Sequence, residues 1–129
     1  MERLRSAGIS PTQQRMQIAQ IIFEKSQHLS AEQVLERVNG ERQLVSKATV
    51  YNTLGLFAEK GLVRVVLVDR SKMFYDSNVK FHHHFYHVDS GRLIDIDGHS
   101  MRLPVLPELP ADTVADGIDI IIRVRDRER

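Results

Sequence analysis

The chain has 129 residues, enough for one domain or two very small ones. It contains no cysteine, which excludes disulfides and thiolate zinc sites and fits the reducing cytoplasm in which we expect it. It has neither an apolar run of membrane-spanning length nor the apolar segment of a signal peptide at its start, so no membrane partner is expected. Residues 1–76 hold 11 basic and 8 acidic side chains, a net charge of +3, and residues 77–129 hold 7 and 9, a net charge of −2. A mildly basic first half is compatible with nucleic acid.

Three helices are predicted in the first half. Ser10, followed by Pro-Thr-Gln, is the expected N-cap of the first helix, and Ser30 is that of the second. Ser46 is expected to cap a third helix that runs to Lys60. The buried stripe of this third helix is expected to be Val50, Leu54 and Phe57. The residues off that stripe are Lys47, Thr49, Tyr51, Asn52 and Gly55.

Two strands, residues 62–68 and 72–75, follow the third helix and are joined by a short turn. Three helices and a hairpin predict a winged helix-turn-helix, whose last helix enters the major groove of DNA. Tyr51 is available to contact a thymine methyl group or a phosphate. The candidate DNA contacts are Lys47, Thr49, Tyr51, Asn52 and Arg64. The alternative is a three-helix module whose third helix binds a protein, or nothing.

The second half is organised around a histidine-rich hairpin, residues 80–97. Ser90-Gly91 is a turn signal, and a turn centred there would pair His84 with Asp97 and Tyr86 with Asp95. Because side chains alternate along strands, one face is expected to carry His82, His84, Tyr86, Asp95, Asp97 and His99. The other face is expected to be mostly core and to carry His83, Phe85, His87, Ile94 and Ile96.

Imidazole together with carboxylate suits iron, manganese or zinc. His82 and His84 are two positions apart, so their Cα atoms lie about 7 Å apart on one face, within reach of one ion. His83 points the other way. The alternative is a polar, solvated strand face, but three consecutive histidines opposite acidic residues favour a ligand site.

Residues 77–81 are expected to be a hinge between a winged-helix domain, residues 1–76, and a second domain, residues 82–129. The second domain gains one further strand, residues 117–125. Three strands cannot bury both faces alone, so we expect a homodimer. The fold class is therefore α+β: a winged helix-turn-helix followed by a small α/β dimerisation domain with a three-stranded sheet.

The segment from Ser46 to Leu54 (SKATVYNTL), with Gly61-Leu62-Val63 after it and the histidine-rich hairpin downstream, resembles the ferric uptake regulator (Fur) superfamily. The subgroup that the chain most resembles is the iron response regulator (Irr). The residues that support this are Tyr51-Asn52-Thr53-Leu54, Asp76-Ser77-Asn78-Val79, His82-His83-His84 and the strand from Ile118 to Arg125. The resemblance implies a dimeric, DNA-binding transcription regulator of iron homeostasis. Its effector would be a divalent metal, peroxide or, in Irr-like members, haem.

The resemblance also implies a regulatory site between the two domains. The implied metal ligands are His28, Asp76, His82, His84 and Asp95. A haem would have to use histidine, with His82, His83 and His84 as candidates. Many members hold structural zinc with two Cys-x-x-Cys pairs; the first pair falls on His87 and Ser90, and the second has no counterpart, so Cys-ligated zinc is absent. Asn52 and Ser10 stand where many members have basic residues.

Three functions compete. The first is a regulator that senses haem or a divalent metal (iron, manganese or zinc), and the second is a peroxide sensor of the same fold, in which iron-bound peroxide oxidises a ligand histidine. The third is a small non-haem iron enzyme, because two histidines and one carboxylate also suit that chemistry. A winged helix serves no purpose in such an enzyme, and little chain remains to build a substrate pocket. We therefore expect a regulator and not an enzyme.

Overall fold

The fold is known from a computed structural model, which has a mixed α+β architecture. Two compact units divide the chain, Met1–Val79 and Lys80–Arg129, here called the N-terminal and the C-terminal unit. Within the described ranges no helix has the length and apolar character needed to cross a membrane. The structure describes residues 2–40, 44–80, 82–97, 100–101 and 105–128.

Among its described residues, the N-terminal unit contains four helices and a three-stranded antiparallel sheet of order β1-β3-β2. Its helices are α1 (Glu2–Ser6), α2 (Gln13–Ile22), α3 (Ala31–Asn39) and α4 (Lys47–Glu59). Its strands are β1 (His28–Leu29), β2 (Arg64–Asp69) and β3 (Lys72–Asp76). The three expected helices and the hairpin are thus confirmed, and α1 and β1 are additional.

Side-chain caps determine where the helices begin. Ser30 caps α3 in a reciprocal capping box with Gln33, and Ser46 caps α4, as expected. The expected cap Ser10 is wrong: Thr12 caps α2, and its side-chain oxygen accepts from the Arg15 N–H at 3.2 Å. Ser10 instead accepts at its carbonyl from the Arg15 guanidinium, at 2.9 Å.

The core of the N-terminal unit is formed by the inner faces of the helices. The expected stripe of Val50, Leu54 and Phe57 is confirmed, since all three side chains have no exposed surface. Ile18, Ile22 and Val34 from the other helices are equally buried. The apolar side chains at helical spacing therefore fix the rotation of α4 about its axis, and with it the residues that α4 presents to solvent.

The short strand β1 is anchored by Ser77 at the end of β3. The Ser77 backbone N–H donates to the Gln27 carbonyl at 2.9 Å, and the Gln27 N–H donates to Ser77 Oγ at 3.0 Å. These bonds hold β1 in antiparallel register with β3, in which His28 is the Cα partner of Asp76.

In the part of the C-terminal unit that the structure describes there are three strands, β4 (His83–His87), β5 (Arg92–Ile96) and β6 (Ile121–Val124). The sheet has the order β5-β4-β6, with β5 antiparallel and β6 parallel to β4. The expected three-stranded sheet is confirmed. The expected α/β character is wrong, because the residues described between 80 and 128 include no α-helix and the chain between β5 and β6 is irregular there.

The hairpin register differs from the expected one by two residues. His84 is paired with Asp95 and Tyr86 with Leu93, because the loop between β4 and β5 has four residues, 88–91, and not two. Gly91, at the end of this loop, has a φ of 73°, a conformation that glycine adopts at low cost. Because side chains alternate with period two, a shift of two residues preserves the faces, and His84 and Asp95 still share one.

Candidate functional site

Two histidines and one carboxylate meet on one face of the C-terminal sheet. The Asp95 Oδ1 atom lies 3.2 Å from His84 Nε2 and 3.4 Å from His82 Nε2. The two imidazole rings are 4.5 Å apart between centroids. Both histidines are buried, whereas the Asp95 side chain is 49% exposed. We call His82, His84 and Asp95 the upper cluster.

In the upper cluster, the Nε2 atoms of His82 and His84 both face the Asp95 carboxylate. His82 Nδ1 lies 2.6 Å from the Lys80 carbonyl oxygen, and a carbonyl can only accept, so Nδ1 carries a proton. In a neutral ring, Nε2 of His82 then presents a lone pair to the Asp95 carboxylate. A cation between these atoms would satisfy both of them. The donor set, with a carbonyl that orients one imidazole, fits a divalent metal.

His28 and Asp76, the remaining expected ligands, lie in the N-terminal unit. They are paired across β1 and β3, so their side chains share one face of that sheet. Asp76 is buried, with 1% of its surface exposed, and its Oδ1 accepts from the Asn78 N–H at 2.9 Å. His28 is half-buried and makes an edge-on contact with Phe74, with 6.2 Å between ring centroids. The N-terminal unit thus presents one imidazole and one carboxylate together.

His83 is buried but makes a structural contact. Its Nδ1 accepts from the Ile120 backbone N–H at 3.0 Å, and the His84 N–H donates to the Ile120 carbonyl at 3.2 Å. His83 therefore helps to hold the chain that leads into β6. Of the other acidic or histidine side chains expected on the ligand face, Asp97 is exposed and His99 lies outside the described residues.

A second histidine cluster lies at the β4–β5 loop, formed by His87, Asp89 and Asp126. His87 Nδ1 accepts from the Ser90 N–H at 3.0 Å, so its proton is on Nε2, which donates to Asp126 Oδ1 at 2.8 Å. The Asp126 N–H in turn donates to Asp89 Oδ2 at 2.7 Å. We call this group the lower cluster; the sequence alone indicated only that His87 points away from the upper cluster.

The outer face of α4 carries the candidate DNA contacts. Lys47 and Asn52 are exposed, Thr49 is half-buried, and Arg64 is half-buried at the start of β2. The Thr49 hydroxyl is hydrogen-bonded to the Ser46 hydroxyl at 2.9 Å. These side chains lie in one compact unit and are small, polar or basic.

Tyr51 is half-buried against the core, and its hydroxyl donates to the carboxylate of Glu32 in the first turn of α3. The hydrogen bond to Tyr51 lowers the pKa of Glu32, and the same bond raises the pKa of Tyr51. The proton therefore stays on the tyrosine and the charge on the glutamate at neutral pH. Glu32 was not among the expected site residues, because no local pattern connects residues 19 positions apart.

The model of the ferric uptake regulator family matches residues 6–104. This match covers more than half of the chain, and the chain therefore belongs to the ferric uptake regulator family. The peroxide-responsive repressor PerR of Staphylococcus aureus (strain Mu50 / ATCC 700699) is 29% identical over 92 residues. That alignment covers 71% of this chain and 62% of the relative, so the chain spans less than two thirds of the length of that protein.

Solved structures of the same family have the same fold. The ferric uptake regulator of Pseudomonas aeruginosa with manganese is 24% identical, with a TM-score of 0.72 over 98% of this chain and 97% of that chain. The ferric uptake regulator of Vibrio cholerae is 19% identical, with a TM-score of 0.73 over 97% of this chain and 98% of that chain. At these identities the likeness concerns the fold alone.

Proposed function

We propose that this protein is a metal-responsive, sequence-specific DNA-binding transcription regulator, and not an enzyme. The observation that carries the proposal is the upper cluster, in which two imidazole nitrogens and a carboxylate oxygen face one another. Three atoms of this kind would bind iron, manganese or zinc. Family membership and the manganese-containing relative of known structure support the same class of ligand.

The proposed ligand set also includes His28 and Asp76 from the N-terminal unit. Asp76 precedes His82 by six positions, so the chain limits the distance between their Cα atoms to about 20 Å. A hinge at residues 77–81 would let both sets bind one ion. Metal would then favour one relative orientation of the two units, and only a difference in affinity between orientations can shift their populations.

The proposed DNA-binding surface is the outer face of α4 together with β2 and β3, which would form a winged helix. Lys47, Thr49, Asn52 and Arg64 supply hydrogen-bond donors and positive charge along this surface, and Tyr51 lies among them. Phosphate contacts would position the protein, and side chains that reach base edges would provide the sequence preference.

A homodimer is proposed through the C-terminal sheet. Phe85 on β4 is paired with Ile94 on one side and with Ile122 on the other, which makes an apolar row across all three strands. Ile94 is 40% exposed and Ile122 is 41% exposed, although this face was expected to be core. A second copy would bury this row. Light scattering should report dimers for the wild type with or without chelator, and monomers for Ile122→Glu.

The effector can be metal, peroxide acting on bound iron, or haem. The peroxide alternative is supported by the similarity to the peroxide-responsive repressor, and iron with peroxide should then oxidise a peptide that contains His82 and His84. An Irr-like haem site on the triple-histidine run would use His83, whose Nδ1 already accepts from Ile120. The geometry therefore favours a small ion over haem.

The proposal is tested by selecting duplexes from a random DNA library with the protein loaded with manganese, zinc, iron or haem, or treated with chelator. We expect one metal to give selective, salt-dependent binding that chelator changes by at least tenfold, a coupling of about 1.4 kcal/mol. Absence of selective binding in every state would refute the DNA-binding function. Selective binding that no metal changes would refute the sensing function alone.

A further inference from the structure

The Tyr51 hydroxyl has a feature that bears on how the protein would read DNA, an inference that rests on the proposed DNA-binding function. A tyrosine hydroxyl has one proton to donate and can also accept. In this structure the proton is donated to the Glu32 carboxylate. The hydroxyl is therefore left as an acceptor on the surface proposed for DNA. A phosphate oxygen can only accept, so the pair cannot form the usual tyrosine–phosphate hydrogen bond.

Glu32 lies in the first turn of α3, whose start is fixed by a capping box. The Gln33 side chain accepts from the Ser30 N–H at 2.8 Å, and the Gln33 N–H donates to Ser30 Oγ at 3.2 Å. A negative charge is favourable at a helix N-terminus because the N–H groups point toward it. The ionised form of Glu32 is therefore favoured at this place in α3.

The tyrosine ring is restrained on its other sides as well. It packs against the core cluster, and Lys47 Nζ lies 5.8 Å from the ring centroid, within the range of a cation–π contact. The hydrogen bond, the packing and the cation together restrain the ring. Its edge and its acceptor oxygen are the features that remain to contact a DNA base.

We propose that Glu32 is a positioning residue for sequence reading, which takes the hydroxyl proton of Tyr51 and so makes Tyr51 a base contact and not a phosphate contact. The acceptor oxygen of Tyr51 would take a hydrogen bond from an exocyclic amino group, and its ring would contact a thymine methyl group. The Glu32 charge repels phosphate, which weakens binding to DNA of any sequence. Both effects raise selectivity.

The test compares affinity for a duplex selected by the wild type with affinity for a scrambled duplex of the same length and composition. The ratio of the two affinities is the selectivity. Glu32→Ala and Tyr51→Phe should each lower the selectivity by about tenfold, within the range that one good base contact provides. The double variant should be no worse than either single variant, because the two residues act through one hydrogen bond.

Two further variants separate positioning from charge. Glu32→Gln keeps an acceptor for the tyrosine proton, and we expect it to restore most of the selectivity lost in Glu32→Ala. Glu36→Gln removes the same charge one helical turn further along α3, away from the residue that takes the Tyr51 proton, and should leave the selectivity within about twofold. Cooperative thermal unfolding of each variant shows that the N-terminal unit is intact.

Equal selectivity in wild type and Glu32→Ala, or equal losses in Glu32→Ala and Glu36→Gln, would overturn the positioning role. The first result would leave the proposed DNA-binding function standing, since the wild type would still discriminate. A wild type that discriminates between no duplexes would overturn the proposed function and this inference with it.

Discussion

The two histidine clusters of the C-terminal unit are built from the same kinds of side chain but differ in their protons. At the lower cluster both imidazole nitrogens have a partner of the opposite kind: His87 Nδ1 accepts from Ser90, and His87 Nε2 donates to Asp126. At the upper cluster the Lys80 carbonyl takes the proton of His82 Nδ1, and the remaining nitrogen faces a carboxylate. The lower cluster is held by hydrogen bonds between protein groups, whereas the upper cluster sets ligand-type atoms close together, in an arrangement that a cation would bridge.

This difference shows why a count of histidines and acids is a poor guide to metal sites. Both groups bring their ligand atoms within 4.8 Å of one another. Burial of the histidines separates them as well, since His84 is 2% exposed and the His87 side chain is 22% exposed. The acids do not separate them, because Asp95, Asp89 and Asp126 are all exposed. A buried imidazole nitrogen that faces a carboxylate is costly unless a proton or a metal ion lies between them, whereas a donor–acceptor pair is stable by itself.

The largest expected effect is on metal affinity. His84→Ala should weaken the binding of manganese or zinc by more than about 100-fold, because loss of even an outer-shell partner costs about 10–100-fold. His87→Ala should change the same affinity by less than about threefold, since its nitrogens are already used. Competition with a chromophoric chelator measures both. Equal losses in the two variants would remove the distinction between the clusters.

A pair of isosteric changes sharpens the comparison further. Asp95→Asn removes the negative charge from the upper cluster and should weaken metal binding by about 10–100-fold. Asp126→Asn leaves an amide oxygen that still accepts from His87 Nε2, so neither metal affinity nor stability should change much. If Asp126→Asn weakens metal binding as strongly as Asp95→Asn, the lower cluster is also a metal site.

The grouping of His82, His84 and Asp95 could be predicted from the sequence because it depends only on the face of its strand on which each side chain lies, and faces alternate from one residue to the next. The expected hairpin paired His84 with Asp97, and the structure pairs it with Asp95. The error of two residues kept every side chain on its expected face, whereas an error of one would have separated the histidines from the acid. The loop length could not be predicted, because it depends on bonds such as the one from Gly91 N–H to the His87 carbonyl, at 2.8 Å.

Other features depend on contacts between distant residues and left no local pattern. The two-residue strand β1 exists because Ser77 binds the backbone near Gln27, 50 positions earlier. The Glu32–Tyr51 bond likewise connects two helices. Helix N-caps are easier to predict, because Ser, Thr, Asp and Asn are strongly preferred there. Ser10 and Thr12 are both suitable caps and lie two positions apart, so the sequence did not show that α2 begins after Thr12.

The third expected effect is on stability without metal. His87→Ala removes two hydrogen bonds and should lower the free energy of unfolding in chelator by about 1–2 kcal/mol. Metal at 100 times the wild-type dissociation constant should add about 2.7 kcal/mol to the wild type, about 2–2.7 kcal/mol to His87→Ala and at most about 0.4 kcal/mol to His84→Ala. Urea unfolding with and without metal measures these increments. A metal increment that disappears in His87→Ala would show that the clusters are coupled.

The smallest expected effect is on the pH dependence of stability. It extends the comparison to Glu32 in the N-terminal unit, a carboxylate whose donor, the Tyr51 hydroxyl, is neutral. The hydrogen bond from Tyr51 lowers the pKa of Glu32 below its ordinary value of 4.5, so its contribution to stability is present above that pH and is lost as the pH falls further. The same bond raises the pKa of Tyr51 above 10.0, so the tyrosine contribution is lost only as the pH rises beyond it. Because Glu32 is exposed, we expect this bond to contribute less than about 1 kcal/mol to the free energy of unfolding.

The free energies of unfolding of wild type and Tyr51→Phe, measured in urea, should therefore differ by a constant amount near neutral pH and converge in acid. A constant difference down to the lowest pH would mean that Glu32 is not the acceptor that stabilises Tyr51.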